Sequence, residues 1–363
     1  MKTILLAGAG GGGSINLARA LRATNRGLRL IGSNSDRFAL ARSPADPGHS
    51  WLVPHSKAAD EYLRALNEIS VEEEVELLIP TNDTELGVLS ARRAEVQAPM
   101  CLPDPAAVAI CQDKGRFAQF MEGAGLPSPR GLVVERYEDL TEAFASFDAQ
   151  TVWLRLRSGT GSRGTLPVRS GQQAEFWIRY WADRIGATPS DFVLNDYLSG
   201  REYAWMAIFD HGRFVASKTA ERLEYLFGAN TPSGTMSTPR VAKLVFEPGV
   251  DRLGEAAVLA VDSNATGVFS LDIKEDSHGR PHVTEINIGR FFRISPIFNL
   301  SGHVNLAELF LQVAEGRQPI VPEAERHGDF TEDTWWICDI EDVPSVLTET
   351  ALSASMKKWT RSP

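Results

Sequence analysis

The apolar and polar positions of this chain alternate between two periods. Residues 3–7, TILLA, form a short apolar run with the length of a buried strand. The next segment, INLARALRAT, sets Ile15, Leu17, Ala18 and Leu21 at helical spacing, and LRLIGSNSD reads as a second strand. A β-α-β start of this kind builds a parallel sheet. A helix near 59–70, the strand VELLIPTND at 75–83 and a helix near 83–95 continue the alternation. Residues 1–105 therefore read as one small, open, Rossmann-like α/β domain.

PDP at 103–105 punctuates the chain. DPAAVAICQDKGRFAQFMEGAG then predicts one or two helices ending at Gly123 or Gly125, ahead of Pro127 and Pro129. Beyond residue 130 strand-like runs dominate: GLVVE, TVWLRLRS, DFVLNDYL, EYAWMAIFD and RFVASKTA. His211–Gly212 marks a tight hairpin between the last two. Helices are expected near 171–184 and 250–262, a second hairpin over 267–287, and an amphipathic helix at 304–316. WWICDIED at 335–342 is a candidate final strand. The pattern predicts an α/β protein with α+β character in its C-terminal part, divided as 1–105, 106–190 and 191–363.

Composition narrows the partners. A chain of 363 residues exceeds one simple core. Hydrophobic residues make up 43% and charged residues 23%, as in an ordinary globular protein. A net charge of −10 argues against a general binder of nucleic acid or of a membrane surface, since both need a basic face. The cysteines, Cys101, Cys111 and Cys338, show no CxxC spacing; they suggest neither a disulfide framework nor a zinc site and fit a reducing cytoplasm. The apolar run in MKTILLAGAGGGG is only about six residues, short for a signal-peptide core. No apolar stretch reaches the ~18 residues of a membrane span.

Four segments carry candidate chemistry. Gly8, Gly10 and Gly13 satisfy G-x-G-x-x-G between a strand and a helix, with Asp36 at the end of the second strand. Two readings stand: a dinucleotide site with Asp36 as its ribose acid, or glycines that only permit a close strand-to-helix turn. In GVFSLDIKEDSHGRPHVTEINIGR, a turn centred between His278 and Gly279 sets Asp272 directly across from Glu285. Asn287 shares their face because strand side chains alternate. Two facing acids repel unless a cation joins them, and three convergent oxygen ligands suit Mg²⁺. LRLRSGTGSRG, Leu154–Gly164, is a strand running into a glycine-serine loop, with Arg155 and Arg157 on one face and Arg163 in the loop. It reads as an anion cradle or as a flexible surface hairpin. Lys114 stands at a helix start. Finally, residues 217–240 read as a long loop whose Arg222, Arg240 and Ser/Thr cluster bind an acceptor or merely cover the surface.

Taken in order, GAGGGGSINLARAL, IPTNDTEL, QDKGRFAQFMEGAGLPSP, LRLRSGTGSRG, NDYLSGREY, LDIK and TEINIGR resemble the successive motifs of the ATP-grasp superfamily. The likeness is in particular to one synthetase half of the carbamoyl phosphate synthase large subunit, over roughly residues 1–316. It implies a pre-ATP-grasp domain followed by a module with a small lid and a larger antiparallel sheet. By the resemblance, Lys114 and Arg155 are the phosphate-binding cations, and Ser158, Gly159, Gly161 and Ser162 belong to the lid loop. Asn195, Asp196 and Leu198 match the hinge around adenine, and Glu202 the residue that reaches the ribose. Asp272, Glu285 and Asn287 match the ligands of Mg²⁺ (or Mn²⁺), and Arg290 the arginine beside the transferred phosphate. The family pattern is E-x-N-P-R, whereas this chain reads EINIGR, with its arginine one position later.

The implied activity is ATP-dependent ligation of a small-molecule carboxylate to an amine through an acyl phosphate, releasing ADP and phosphate. A homodimer through the N-terminal domain is the family-level expectation. Carbamoyl-type bicarbonate chemistry is an alternative, made less favourable by a single module and no glutaminase segment. A non-catalytic nucleotide-binding protein is another, and the intact set Asp272, Glu285 and Asn287 argues against it.

Overall fold

A computed structural model describes residues 1–159, 162–339, 345–348 and 350. The chain opens with β1 (Thr3–Ala7), α1 (Gly12–Arg22), β2 (Arg29–Asn34), α2 (Arg37–Leu40), β3 (Ser50–Leu52), α3 (Ala59–Glu72), β4 (Leu77–Pro80) and α4 (Asp83–Ala91). The strands form a parallel sheet in the order β3-β2-β1-β4. The apolar run of β1 is buried along its whole length, as a strand covered on both faces requires. Two helices follow, α5 (Pro105–Cys111) and α6 (Lys114–Gly123). They are separate because Asp113 caps the second, accepting from Gly115 N at 2.9 Å and Arg116 N at 3.1 Å.

The next unit holds β5 (Gly131–Val133), α7 (Leu140–Ala145), β6 (Val152–Leu156), β7 (Leu166–Val168), α8 (Gly171–Ile185) and β8 (Phe192–Asp196). Its antiparallel sheet runs β5-β8-β6-β7, so β8 pairs here although it lies just past residue 190. Its apolar core, including Val152, Leu154, Ile178 and Phe192, is its own.

The remainder comprises β9 (Glu202–Asp210), β10 (Arg213–Tyr225), β11 (Pro239–Val245), α9 (Pro248–Val261), β12 (Gly267–Glu275), β13 (Pro281–Ile288), α10 (Ser295–Asn299), α11 (Leu306–Ala314), β14 (Thr334–Ile337) and β15 (Ser345–Thr348). A seven-stranded antiparallel sheet runs β13-β12-β9-β10-β11-β14-β15. The His211–Gly212 hairpin forms as expected, with Asp210 paired to Arg213. This sheet shares its core with the parallel domain: Leu78, Leu86 and Leu89 pack in one cluster with Trp205, Phe209 and Phe269. Among the described residues no helix is long and apolar enough to cross a membrane.

Two expectations need correction. The stretch 217–240 is not one long loop: β10 continues to Tyr225 and β11 begins at Pro239. The polar run ERLEY hides this, because β10 shifts register against β11 between Arg222 and Tyr225. In addition, β6 ends at Leu156, so Arg157 does not share a strand face with Arg155. Of the last candidate strand, residues 340–342 lie outside the described set.

Candidate active site

A cavity of about 500 Å³ opens where the three parts meet. Its floor is the β12–β13 hairpin. Asp272 pairs with Glu285, as the sequence predicted, and Ser270 pairs with Asn287. The route to that register differs. The turn spans Asp276–Arg280, with Ile273 opposite Val283, and the pairing shifts by one residue at Thr284. This bulge restores the Asp272–Glu285 match that a turn centred one half-position later would give.

Each acid on this floor meets cations from other segments. Arg222 donates to Asp272 Oδ1 and, at 3.3 Å, to Glu202 Oε1. Lys274 Nζ lies 3.1 Å from Glu202 Oε2, and Tyr225 donates to the same carboxylate. Lys114 Nζ lies 3.2 Å from Glu285 Oε1 and donates to the Gly159 carbonyl at 3.0 Å. Arg155 reaches within 3.9 Å of Glu285 and donates to Asn195 Oδ1 at 2.9 Å and to the Thr284 carbonyl at 3.1 Å. Asn287 Nδ2 donates to Asp272 Oδ2 at 2.9 Å.

The two facing acids are unequal. Burial pushes Asp272 above the usual carboxylate range; Arg222 pulls it back and Glu285 adds to the rise. Burial also disfavours charge on Glu285, but Lys114 and Arg155 outweigh it and hold that carboxyl below the usual range. Burial opposes ionisation of Glu202 as well, and Lys274 and Arg222 overcome it.

The other predicted residues divide into groups. Leu198 and Gly159 line the cavity, as does Ser162, whose φ is +55°. Asn195 is buried with Nδ2 donating to the Arg130 carbonyl at 3.1 Å, and Asp196 accepts from Arg130 N at 2.7 Å. Ser158 is exposed and does not line the cavity, while Gly161 lies outside the described residues. Arg163 lines the cavity and rests over the Trp181 ring at 5.2 Å. Arg157 turns away and binds Asp113 at 2.7 Å. Since Asp113 caps α6, that pair anchors the helix end bearing Lys114.

Arg290 does enter the cavity despite the longer spacing. Gly289 takes φ +69°, a left-handed step that glycine makes at little steric cost. Arg290 thereby reaches Asn287 Oδ1 and the carboxylate of Asp83. Of the candidates at 217–240, Arg222 is central, whereas Arg240 is exposed and pairs with Glu224.

The glycine turn borders the same cavity through Gly8, Gly11, Gly12 and Gly13, but the acid expected to serve it does not reach there. Asp36 caps α2, accepting from Phe38 N at 2.8 Å, and is absent from the cavity lining. At Gly10, φ is +93° and an added Cβ would lie 1.7 Å from the Ala39 carbonyl oxygen. This glycine serves the tight turn.

Sequence reasoning passed over Asp83, Lys274, Tyr225 and Arg293, all of which line the cavity. A signal existed for Lys274, which shares the period-2 face of Asp272. Asp83 sits inside IPTNDTEL, yet its partner is 207 residues away.

No protein-family model matches the chain, and no curated protein is significantly similar to it in sequence. Solved structures are similar in fold. The biotin carboxylase domain of Hydrogenobacter thermophilus 2-oxoglutarate carboxylase, solved with MgADP, ADP and bicarbonate, aligns with a TM-score of 0.70 at 16% identity. The alignment covers 92% of this chain and 74% of that one. L-amino acid ligase from Bacillus licheniformis aligns with a TM-score of 0.70 at 13% identity, covering 93% and 79%. The ADP complex of N5-carboxyaminoimidazole ribonucleotide synthetase aligns with a TM-score of 0.68 at 14% identity, covering 93% and 81%. At such identities the likeness is one of architecture: the chain has the ATP-grasp fold.

Proposed function

We propose that this protein is an ADP-forming ligase that joins a small-molecule carboxylate to an amine by way of an acyl phosphate. The observation that carries the reading is the floor of the cavity. Asp272, Glu285 and Asn287 converge there, ringed by Lys114, Arg155, Arg222 and Arg290. The donor set fits Mg²⁺ or Mn²⁺: three hard oxygen donors, with each carboxylate now neutralised by an organic cation that a metal can replace. Arg222 Nε is buried without a hydrogen-bond partner among the described residues, which fits an oxygen acceptor on a bound molecule.

Mg²⁺ with ATP supplies an activated phosphoryl group and charge neutralisation. The protein's part is positioning and electrostatics, which dominate phosphoryl transfer. Lys114 and Arg155 oppose phosphate charge, and the amides of the loop with Gly159, Gly161 and Ser162 cover it, Ser158 standing at the loop's edge. Asn195, Asp196 and Leu198 frame the adenine mainly through backbone, and Glu202 takes the ribose hydroxyls. Arg290 steadies the phosphoryl group in flight. The lid unit excludes water from the acyl phosphate. The division 1–105, 106–190 and 191–363, with β8 counted with the lid sheet it pairs in, assigns these tasks to a pre-ATP-grasp domain, a lid and a metal- and substrate-binding unit. We place the enzyme in the cytoplasm, as a homodimer.

Bicarbonate as the activated acid is the second reading, favoured by the bicarbonate bound in the Hydrogenobacter relative. An ADP-release screen over carboxylate–amine pairs, with bicarbonate as one of the acids, tests both. Asp272→Ala and Glu285→Ala serve as controls. Full activity in both variants on a pair that the wild type turns over would sink the metal assignment.

A further inference from the structure

Of the carboxylates lining the cavity, Asp83 is the one contributed by the parallel-sheet domain among the described residues. It occupies the first turn of α4, behind Asn82, whose side chain caps the helix by accepting Glu85 N at 3.0 Å. Gln112 Nε2 donates to the Asp83 carbonyl at 2.8 Å, so the backbone there is held from the end of α5 as well. The side chain of Asp83 receives Arg290 on two prongs, from Nε and from Nη2, the latter at 3.1 Å. The same Nη2 donates to Asn287 Oδ1, and Asn287 donates to Asp272 at 2.9 Å. Arg290 Nη1 has no protein partner among the described residues.

A two-pronged carboxylate fixes the plane of a guanidinium, which a single contact does not. Exposed ion pairs contribute little, but this pair lies inside a cavity, with 26% of the Asp83 and 16% of the Arg290 side chain exposed. The extra residue at Gly289 also takes Arg290 off the regular end of β13, so its direction is not set by the strand. Asp83 supplies that direction from the other domain.

We propose that Asp83 is a positioning residue for Arg290, fixing the guanidinium across the domain junction so that its Nη1 edge is presented for the terminal phosphate of a nucleoside triphosphate. This rests on the ligase reading above. It makes the seating of the parallel-sheet domain a condition for a competent phosphate site.

Calorimetric titration of the full chain with Mg·ADP and with Mg·AMPPNP tests it without any acid or amine. The readout is the ratio of the two dissociation constants, which isolates the terminal phosphate. Asp83→Asn is expected to lower the preference for Mg·AMPPNP at least fivefold while Mg·ADP affinity stays within twofold. Asp83→Glu, which keeps the charge, should retain the preference within twofold. Arg290→Ala should show the same loss, and adding Asp83→Asn to it should change nothing further, because the two act as one unit. A merely structural tie would instead weaken both nucleotides together and lower the melting temperature. The proposal is overturned if Asp83→Asn leaves the ratio within twofold of wild type, or if the double variant is additive. If the wild type binds neither nucleotide, the ligase reading itself fails, whatever Asp83 does.

Discussion

Strand β10 carries two cations on one face, the buried Lys218 and the largely covered Arg222, and they live in opposite surroundings. Lys218 is 1% exposed. Its ammonium donates to the Ser301 carbonyl at 2.5 Å and the Val304 carbonyl at 2.7 Å, and lies 3.5 Å from Asp329. Asp329 in turn accepts the His303 and Val304 amides at 2.5 Å each. The ammonium's three donors thus face two carbonyls and a carboxylate, and none is left over. Arg222, four residues on, joins Glu202 to Asp272 at the cavity wall and leaves Nε unmatched. At the lysine the first network is complete, and it clips the 301–304 loop to the sheet. The second is open, and its unmet valence is what marks a site. Burial of charge alone distinguishes nothing; completeness of pairing does.

Loss of a floor acid is expected to have the largest effect. Glu285→Ala or Asp272→Ala should reduce ADP release at least a thousandfold, about 4 kcal/mol in the barrier. For Asp272→Ala thermal melting should move little, since burial and Glu285 already disfavour that carboxylate's charge. A large fall in melting temperature would mean that the open network is structural after all. Lys218→Met should do the reverse. It leaves Asp329 buried without its cation and should cost on the order of 3 kcal/mol of stability, read by urea denaturation. Nucleotide affinity of the remaining folded fraction should be unchanged.

Glu85 sharpens the picture with a third case. It lies 6% exposed beneath the glycine turn, with Asn82 donating to it at 2.8 Å. Burial lifts its carboxyl to about 7, against the help of Asn82 and Tyr62. The folded state therefore holds a proton that the unfolded state releases at lower pH, so stability falls as pH rises from the ordinary glutamate range to about 7. Glu85→Gln abolishes that loss. It should be more stable than wild type by on the order of 2 kcal/mol at pH 8, with the difference vanishing near pH 4. Melting curves that stay parallel across this range would refute the buried proton. The smallest effect belongs to Arg240→Ala. Its partner Glu224 is exposed, and both stability and ADP release should stay within about 0.5 kcal/mol of wild type.

How far the sequence could be read follows from the range of the interactions. The Asp272–Glu285 pairing was legible because a hairpin is local and strand faces alternate; even the unforeseen bulge at Thr284 fell within that arithmetic. The elements α7, α10 and β7 are too short for periodicity to mark them. The far half of β10 was hidden by polar residues that face the cavity or solvent rather than a core. The glycine turn was ambiguous because glycines report backbone shape and not what the shape holds. Asp83 and Lys218 were out of reach for a different reason. Their partners are 207 and 111 residues away, and no local pattern encodes such a meeting.

The single added residue at Gly289 constrains how the arginine beside it can be re-engineered. At φ +69°, with an added Cβ 3.1 Å from Pro103 and 3.2 Å from Leu86, any larger residue there would be strained. Deleting it would recover the common spacing in the sequence but remove the left-handed step by which Arg290 reaches Asp83 and Asn287.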